Sequence, residues 1–301
     1  MSCSSSSSSS ASDPCSQYPA PPFPAQTQNW PGSDSLLSPL ADHGENSYKG
    51  TGKLEGLTAI ITGGDSGIGR AVAIAFAREG CSVSLSYLPQ EEEDAKETEK
   101  HVKAAGRECL LIPGDISNDQ QCKKIVDETV KKFGTISCLV NNAAYQGKAV
   151  DSIEDLDWDR VEFTMRTNII AMFALCRYAV KHMKPGSTII NTGSIQAYQP
   201  SSSILDYATT KAAIVDFTKG LGQELIKKGI RVNCVAPGPI WTPLIAASFP
   251  ADKNAQFGGS YPIGRPGQPA ELAPAYVYLA SKDSSYVIGE VLSVTGGKPT
   301  M

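Results

Sequence analysis

A short apolar run, Leu57-Thr58-Ala59-Ile60-Ile61, enters a glycine-rich turn, Thr62-Gly63-Gly64-Asp65-Ser66-Gly67-Ile68-Gly69-Arg70. The chain leaves the turn with Ala71, Val72, Ile74, Ala75 and Phe76 at helical spacing and reaches a stop signal at Gly80. A buried strand that passes through glycines into a helix is half of a βαβ unit, and such units pair their strands in parallel. The turn also has a chemical use. Glycines let a pyrophosphate approach the backbone, and the helix start offers unpaired N–H groups and the positive end of its dipole.

The rest of the chain repeats this alternation. Strands are predicted over 57–62, 82–88, 108–112, 136–141, 187–193, 230–235 and 291–295. Helices are predicted over 67–79, 91–105, 118–133, within 153–184, and over 206–228 and 269–281, with Pro274 expected to kink the start of the last. The pattern implies an α/β fold: one Rossmann-type, doubly wound parallel sheet of about seven strands, with helices on both faces. Residues 54–301 are expected to form this domain.

Residues 1–53 differ in kind. Ser4 to Ser10 is a homopolymer, and Pro19, Pro21, Pro22, Pro24 and Pro31 follow among polar residues. Such a composition cannot bury enough apolar surface to fold alone. It reads as a disordered tail, or as an arm from about Pro21 to Lys53 held on the body by Phe23, Trp30, Leu36 and Leu37.

Charge and cysteine content exclude several roles. A net charge of −4 argues against a phosphate backbone as partner. No apolar stretch reaches the roughly 20 residues that span a bilayer. The eight cysteines are scattered with no Cys-x-x-Cys, which suits a reducing, cytoplasmic location better than a disulfide framework. Three histidines leave little for a metal site, and the acidic run Glu91 to Asp94 suits a helix start, because consecutive side chains diverge.

Tyr207 and Lys211 stand four apart, so on a helix they share a face. A free phenol titrates near ~10. A fixed ammonium beside it favours the phenolate, which would make tyrosine a usable general acid or base. The same spacing also covers ordinary helix surfaces. It gains weight from Ser194, thirteen residues upstream at the end of a predicted strand, where open parallel sheets place their ligand crevice.

Thr62-Gly63-x-x-x-Gly67-Ile68-Gly69, Asn141-Asn142-Ala143-Ala144, Ser194, Tyr207 and Lys211 together resemble the short-chain dehydrogenase/reductases, over residues 54–297. The segments 87–94, 194–200 and 237–243 look like the subgroup of glucose/ribitol dehydrogenase homologues. The resemblance implies an NAD(P)-dependent oxidoreductase that moves a hydride between nicotinamide and an alcohol or carbonyl substrate. Tyr207 would exchange the proton, Lys211 would lower the phenol pKa and bind the nicotinamide ribose, and Ser194 would hold the substrate oxygen. Asn168 would hold a water for proton relay. Gly63, Ser66, Gly67, Ile68 and Gly69 would surround the pyrophosphate, and Asp115 would accept from the adenine amino group. Asn142 and Ala143 would lie by the adenine ribose, and Pro237, Gly238, Ile240 and Thr242 by the nicotinamide. Ala144 departs from the usual glycine by one methyl. Gln196, Tyr198 and Trp241 would contact substrate, under a lid from about Trp241 to Gly267. An enoyl reductase is a rival, although that branch typically spaces tyrosine and lysine more widely.

NAD enzymes of this architecture favour an acid at the end of the second strand. Tyr87 stands there, which tips the reading toward NADP over NAD, with Arg70 as a candidate partner for the 2′-phosphate. The alternative function is a catalytically silent dinucleotide sensor or scaffold. Keeping serine, tyrosine, lysine and asparagine together favours the enzyme, since a sensor needs only the binding loops. The segment Tyr286 to Gly297 resembles the last-strand region through which family members form homotetramers.

Overall fold

The computed structural model describes residues 13–300; the serine run lies outside them. Among the described residues seven strands form one sheet: β1 (Thr58–Thr62), β2 (Ser82–Tyr87), β3 (Cys109–Pro113), β4 (Cys138–Asn141), β5 (Thr188–Thr192), β6 (Arg231–Pro237) and β7 (Val291–Val294). Their order is β3-β2-β1-β4-β5-β6-β7, and every pairing is parallel. The order reverses between β1 and β4, so a crevice opens beyond their C-terminal ends.

Helices cover both faces because successive strand residues point to opposite sides. Ala59 and Ile61 of β1 join a core with α1 (Gly67–Arg78), α2 (Glu92–Ala104) and the Pro269–Ala280 helix. Ile60 between them joins a second core with α3 (Asp119–Phe133), the Ala171–Ala179 helix and the Leu205–Leu225 helix. In chain order after α3 the helices are α4 (Trp158–Met165), α5 (Ala171–Ala179), α6 (Leu205–Leu225), α7 (Pro243–Ser248), α8 (Ala251–Ala255) and α9 (Pro269–Ala280).

Two helical expectations need correction. The stretch within 153–184 is not one regular helix, since α4 passes through a π turn, Arg166–Ile170, into α5. Such turns gather at functional sites, and this one holds Asn168. Pro274 does not disturb the start of α9, which runs on through it. Pro269 occupies the first turn, where a missing N–H costs nothing, and the Glu271 carboxylate accepts from the Gln268 N–H at 2.8 Å.

The segment before β1 runs over the body. Phe23 N–H donates to the Ala255 carbonyl at 2.8 Å, Gln28 N–H to Ala246 at 2.9 Å, and Trp241 Nε1 to the Pro39 carbonyl at 2.8 Å. Phe23, Leu37, Ala41, Trp241 and Ala246 form a third apolar cluster, with the Phe23 and Trp241 rings 4.8 Å apart. Leu36, expected as an anchor, stays 68% exposed; its neighbour Leu37 is the buried one.

Candidate active site

The glycine turn joins β1 to α1 at the sheet's C-terminal edge. Gly67 begins α1 at φ +47°, a left-handed conformation that penalises any Cβ. At Gly69 a Cβ would fall 1.8 Å from the Gly63 carbonyl oxygen, so only glycine lets the helix pack against the turn. Asn142 Nδ2 donates to the carbonyls of Thr62 and Gly63 at 3.1 and 3.2 Å, fixing the turn against the end of β4. Ser66, Gly67 and Ile68 face a cavity of about 420 Å³. A helix start whose turn residues face such a cavity fits a phosphate-bearing dinucleotide.

Ser194, Tyr207 and Lys211 line the same cavity and are 7%, 8% and 2% exposed. Ser194 leaves the end of β5, and its Oγ accepts from Gln196 N–H at 3.1 Å, so it caps a turn as well as facing the cavity. Tyr207 and Lys211 share a face of α6, with Nζ 5.2 Å from the ring centre. The ammonium donates to the Thr192 carbonyl at 2.8 Å.

Burial pushes the Tyr207 phenol up to about 12, with a hydrogen bond to Ser194 pulling the other way. The lowering of the phenol pKa by the ammonium, expected from spacing, does not emerge: burial sets the direction, and Ser194 is the group that opposes it. Burial likewise pushes Lys211 down to about 8.

Asn168 does not reach the cavity. Its Oδ1 accepts from Tyr145 N–H at 2.7 Å, and its Nδ2 donates to the Tyr145 carbonyl and to Thr210 Oγ1 at 3.0 Å each. Thr210 Oγ1 in turn donates to the Tyr207 carbonyl at 2.7 Å. With its amide fully engaged, Asn168 ties a loop to the backbone of the tyrosine.

Gly63, Ser66, Gly67, Ile68, Asp115, Asn142, Ala143, Gln196, Pro237, Gly238, Ile240 and Thr242 also line the cavity, whereas Gly69 lies behind it. Asp115 is not the cap of α3; Asn118 is, accepting from Gln120 N–H at 2.9 Å. Trp241, expected against substrate, is fully buried under the N-terminal segment, and Tyr198 points elsewhere. Phe249, Phe257 and Tyr261 supply the aromatic wall instead.

Arg70 is committed elsewhere too. It donates to Asp94 Oδ1 at 2.8 Å and to the Asp65 carbonyl at 2.9 Å. Trp30, Pro31, Gln146 and Phe163 also line the cavity. None belongs to a motif, and only the aromatic in a proline-rich arm signalled Trp30.

The comparisons agree with this geometry. A family model described as enoyl-(acyl carrier protein) reductase matches residues 63–298. The glucose and ribitol dehydrogenase of Daucus carota is 50% identical over 281 residues, covering 91% of this chain and 96% of that protein. The NADPH-dependent aldehyde reductase 1, chloroplastic, of Arabidopsis thaliana is 50% identical over 273 residues, 89% of this chain and 94% of that one. A Burkholderia cenocepacia short-chain dehydrogenase solved in complex with NADP superposes with TM-score 0.74 at 30% identity, covering 81% of this chain and 98% of that one. With its parallel sheet, glycine turn and serine, tyrosine and lysine at one cavity, the chain belongs to the short-chain dehydrogenase/reductase family.

Proposed function

We propose that this NAD(P)-dependent oxidoreductase interconverts an alcohol and its carbonyl, an aldehyde, ketone or polyol-derived substrate, with Ser194, Tyr207 and Lys211 handling the proton. The observation that carries the reading is the convergence of these three side chains on the cavity that the glycine turn also lines. A bound nicotinamide supplies or accepts the hydride.

In this reading Ser194 holds the substrate oxygen. Tyr207 keeps its proton at neutral pH because burial disfavours the phenolate, so it is poised to donate to that oxygen in reduction. Lys211, anchored on Thr192, offsets the charge left on the phenolate and meets the nicotinamide ribose. Asn168 is a positioning residue that acts through Thr210. Gly63, Ser66, Gly67 and Ile68 hold the pyrophosphate, with Gly69 packing the turn. Asp115, Asn142 and Ala143 border the adenosine half, and Pro237, Gly238, Ile240 and Thr242 the nicotinamide. Gln196 reaches the substrate.

NADP is the proposed coenzyme. Its support is the missing acid at the end of β2, where Tyr87 instead donates to Glu92 at 2.6 Å, and the coenzyme in the names of the Arabidopsis and Burkholderia proteins. Residues 54–301 form the catalytic domain in this proposal, with 1–53 as its extension. A cytoplasmic location accords with the free cysteines among the described residues. Pairing into a homotetramer accords with half-buried β7 and with Phe173, 54% exposed against Phe217.

A panel of aldehydes, ketones and polyols, followed at the reduced-nicotinamide absorbance band with NADP(H) and NAD(H), tests the proposal. Turnover of at least one carbonyl–alcohol pair is expected. No turnover by protein that binds the coenzyme would point to a silent binding protein.

A further inference from the structure

The first N–H of α1 is not capped from its own turn. Ser66 stands at the cap position but makes no side-chain bond there. Asp34, thirty-three residues upstream, does so instead: its Oδ2 accepts from Gly67 N–H at 2.9 Å. The same oxygen lies 3.0 Å from His43 Nε2 and 3.4 Å from Arg70 Nη1. Asp34 is 3% exposed. Burial alone would raise its pKa, but His43, Arg70 and the Gly67 amide outweigh it and hold the carboxyl below its usual range, so it is an anion at neutral pH.

Four and three residues earlier in the same segment, Trp30 and Pro31 form part of the cavity wall. Trp30 stacks edge-on against Tyr145 at 5.3 Å and Phe163 at 5.9 Å. Tyr145 is the residue whose backbone Asn168 holds. The segment 30–34 therefore spans the cleft from the phosphate turn to the loop braced on α6.

We propose that Asp34 is a positioning residue for the dinucleotide: by fixing the left-handed Gly67, it holds the neighbouring amides in the arrangement that receives the pyrophosphate. The N-terminal arm is then a working part of the coenzyme site and not a passive tail. Asp34 touches no reacting atom; the Arg70 guanidinium 3.4 Å away offsets its charge, leaving the remaining amides of the helix start to the coenzyme's own anion. The inference rests on the dinucleotide reading of the cavity.

Full-length Asp34→Ala, Asp34→Asn and the exposed control Leu36→Ala separate the possibilities. Coenzyme Kd is measured by fluorescence titration with NADPH and NADH, alongside thermal unfolding and steady-state kinetics. Asp34→Ala should raise the Kd of the preferred coenzyme about tenfold, the scale of one charge-assisted hydrogen bond. Coenzyme KM should rise in parallel, with kcat at saturation within about twofold of the unaltered protein. Asp34→Asn, which keeps an acceptor for Gly67 but loses the charge, should raise Kd roughly threefold, and Leu36→Ala should leave it unchanged. A lowered Tm with unaltered Kd in Asp34→Ala would make Asp34 only a structural cap, and tighter binding would make it a repulsive group; either overturns the proposal. Should Asp34→Ala fail to fold, the near-isosteric Asp34→Asn decides alone, and an unaltered Kd there refutes it. An unaltered protein that binds neither coenzyme would refute the dinucleotide reading itself.

Discussion

Lys211 Nζ donates to the Thr192 carbonyl at the end of β5, 2.8 Å away, while the ring centre of Tyr207 lies 5.2 Å from the same nitrogen. The lysine is thus fixed to the sheet a short gap from the phenol ring. Burial pushes it down to about 8, so it carries its charge below that pH and loses it above. In the proposed mechanism a neutral Lys211 would no longer offset charge on the phenolate or attract the coenzyme. In carbonyl reduction, kcat/KM for the coenzyme, which reports the free enzyme, should fall with unit slope above about pH 8. Lys211→Arg should remove that inflection. A profile flat to about pH 9.5 in the unaltered enzyme would contradict the assignment.

Tyr207→Phe removes only a hydroxyl from a buried ring. It should cost about a thousandfold in kcat, within the range for losing a general acid. Coenzyme Kd should stay within about twofold, since the backbone groups of the turn are untouched. Single-turnover reduction together with a binding titration distinguishes the two effects, and retained turnover would exclude Tyr207 as proton donor.

The fold was legible because its signals are local. Ala59, Ile60 and Ile61 form an unbroken apolar run that only a strand covered on both faces needs, and Gly67 and Gly69 mark a turn no other residue fits. Ser194, Tyr207 and Lys211 are likewise legible in their spacing, just past β5 and along α6. What escaped depends on contacts distant in sequence. Trp241 sits next to cavity residues, yet it turns inward to meet Phe23 and Pro39, more than two hundred residues away. Asn168 looked free in a helix, and only the π turn and Tyr145 reveal that its amide is occupied. Arg70 looked available until Asp94 and Asp34 closed around it.

Trp241→Ala should empty the centre of the cluster that seats the arm. The side chain is fully buried between Phe23 and Phe257 and donates to Pro39. Loss of about 3–5 kcal/mol in urea unfolding is expected, with faster proteolysis in residues 21–41. Leu36→Ala, on the exposed side of the same segment, should change stability by less than about 0.5 kcal/mol.

Asp206 precedes Tyr207 and holds it to the body. Its fully buried carboxylate accepts from Arg160 Nε and Nη2 at 2.9 Å each and from Thr164 Oγ1 at 2.9 Å. Asp206→Ala would strand the arginine and should cost about 3–5 kcal/mol. Asp206→Ala paired with Arg160→Met should lose less than the sum of the two single changes, because the pair is coupled. Strict additivity in chemical denaturation would show that the two residues act independently.

Coenzyme choice should depend on pH through Glu91. This carboxyl lines the cavity just after β2, beside Tyr87 and Leu88, where the proposed coenzyme would place its adenosine ribose. Burial, then the nearby Asp65, and Asp94 more weakly, push Glu91 well above the ordinary carboxylate range, although its bond from Leu88 N–H pulls the other way. Near neutrality it therefore holds a proton and tolerates a 2′-phosphate; as pH rises it ionises and repels that group. A ribose without the phosphate meets far less repulsion. The ratio of NADPH to NADH Kd should increase roughly fivefold between pH 7 and 9, the scale of one new like-charge contact at partial burial. Glu91→Gln, neutral throughout, should hold the ratio constant. Equal pH dependence in Glu91→Gln and the unaltered enzyme would remove Glu91 from coenzyme discrimination and leave the choice to the backbone end of β2.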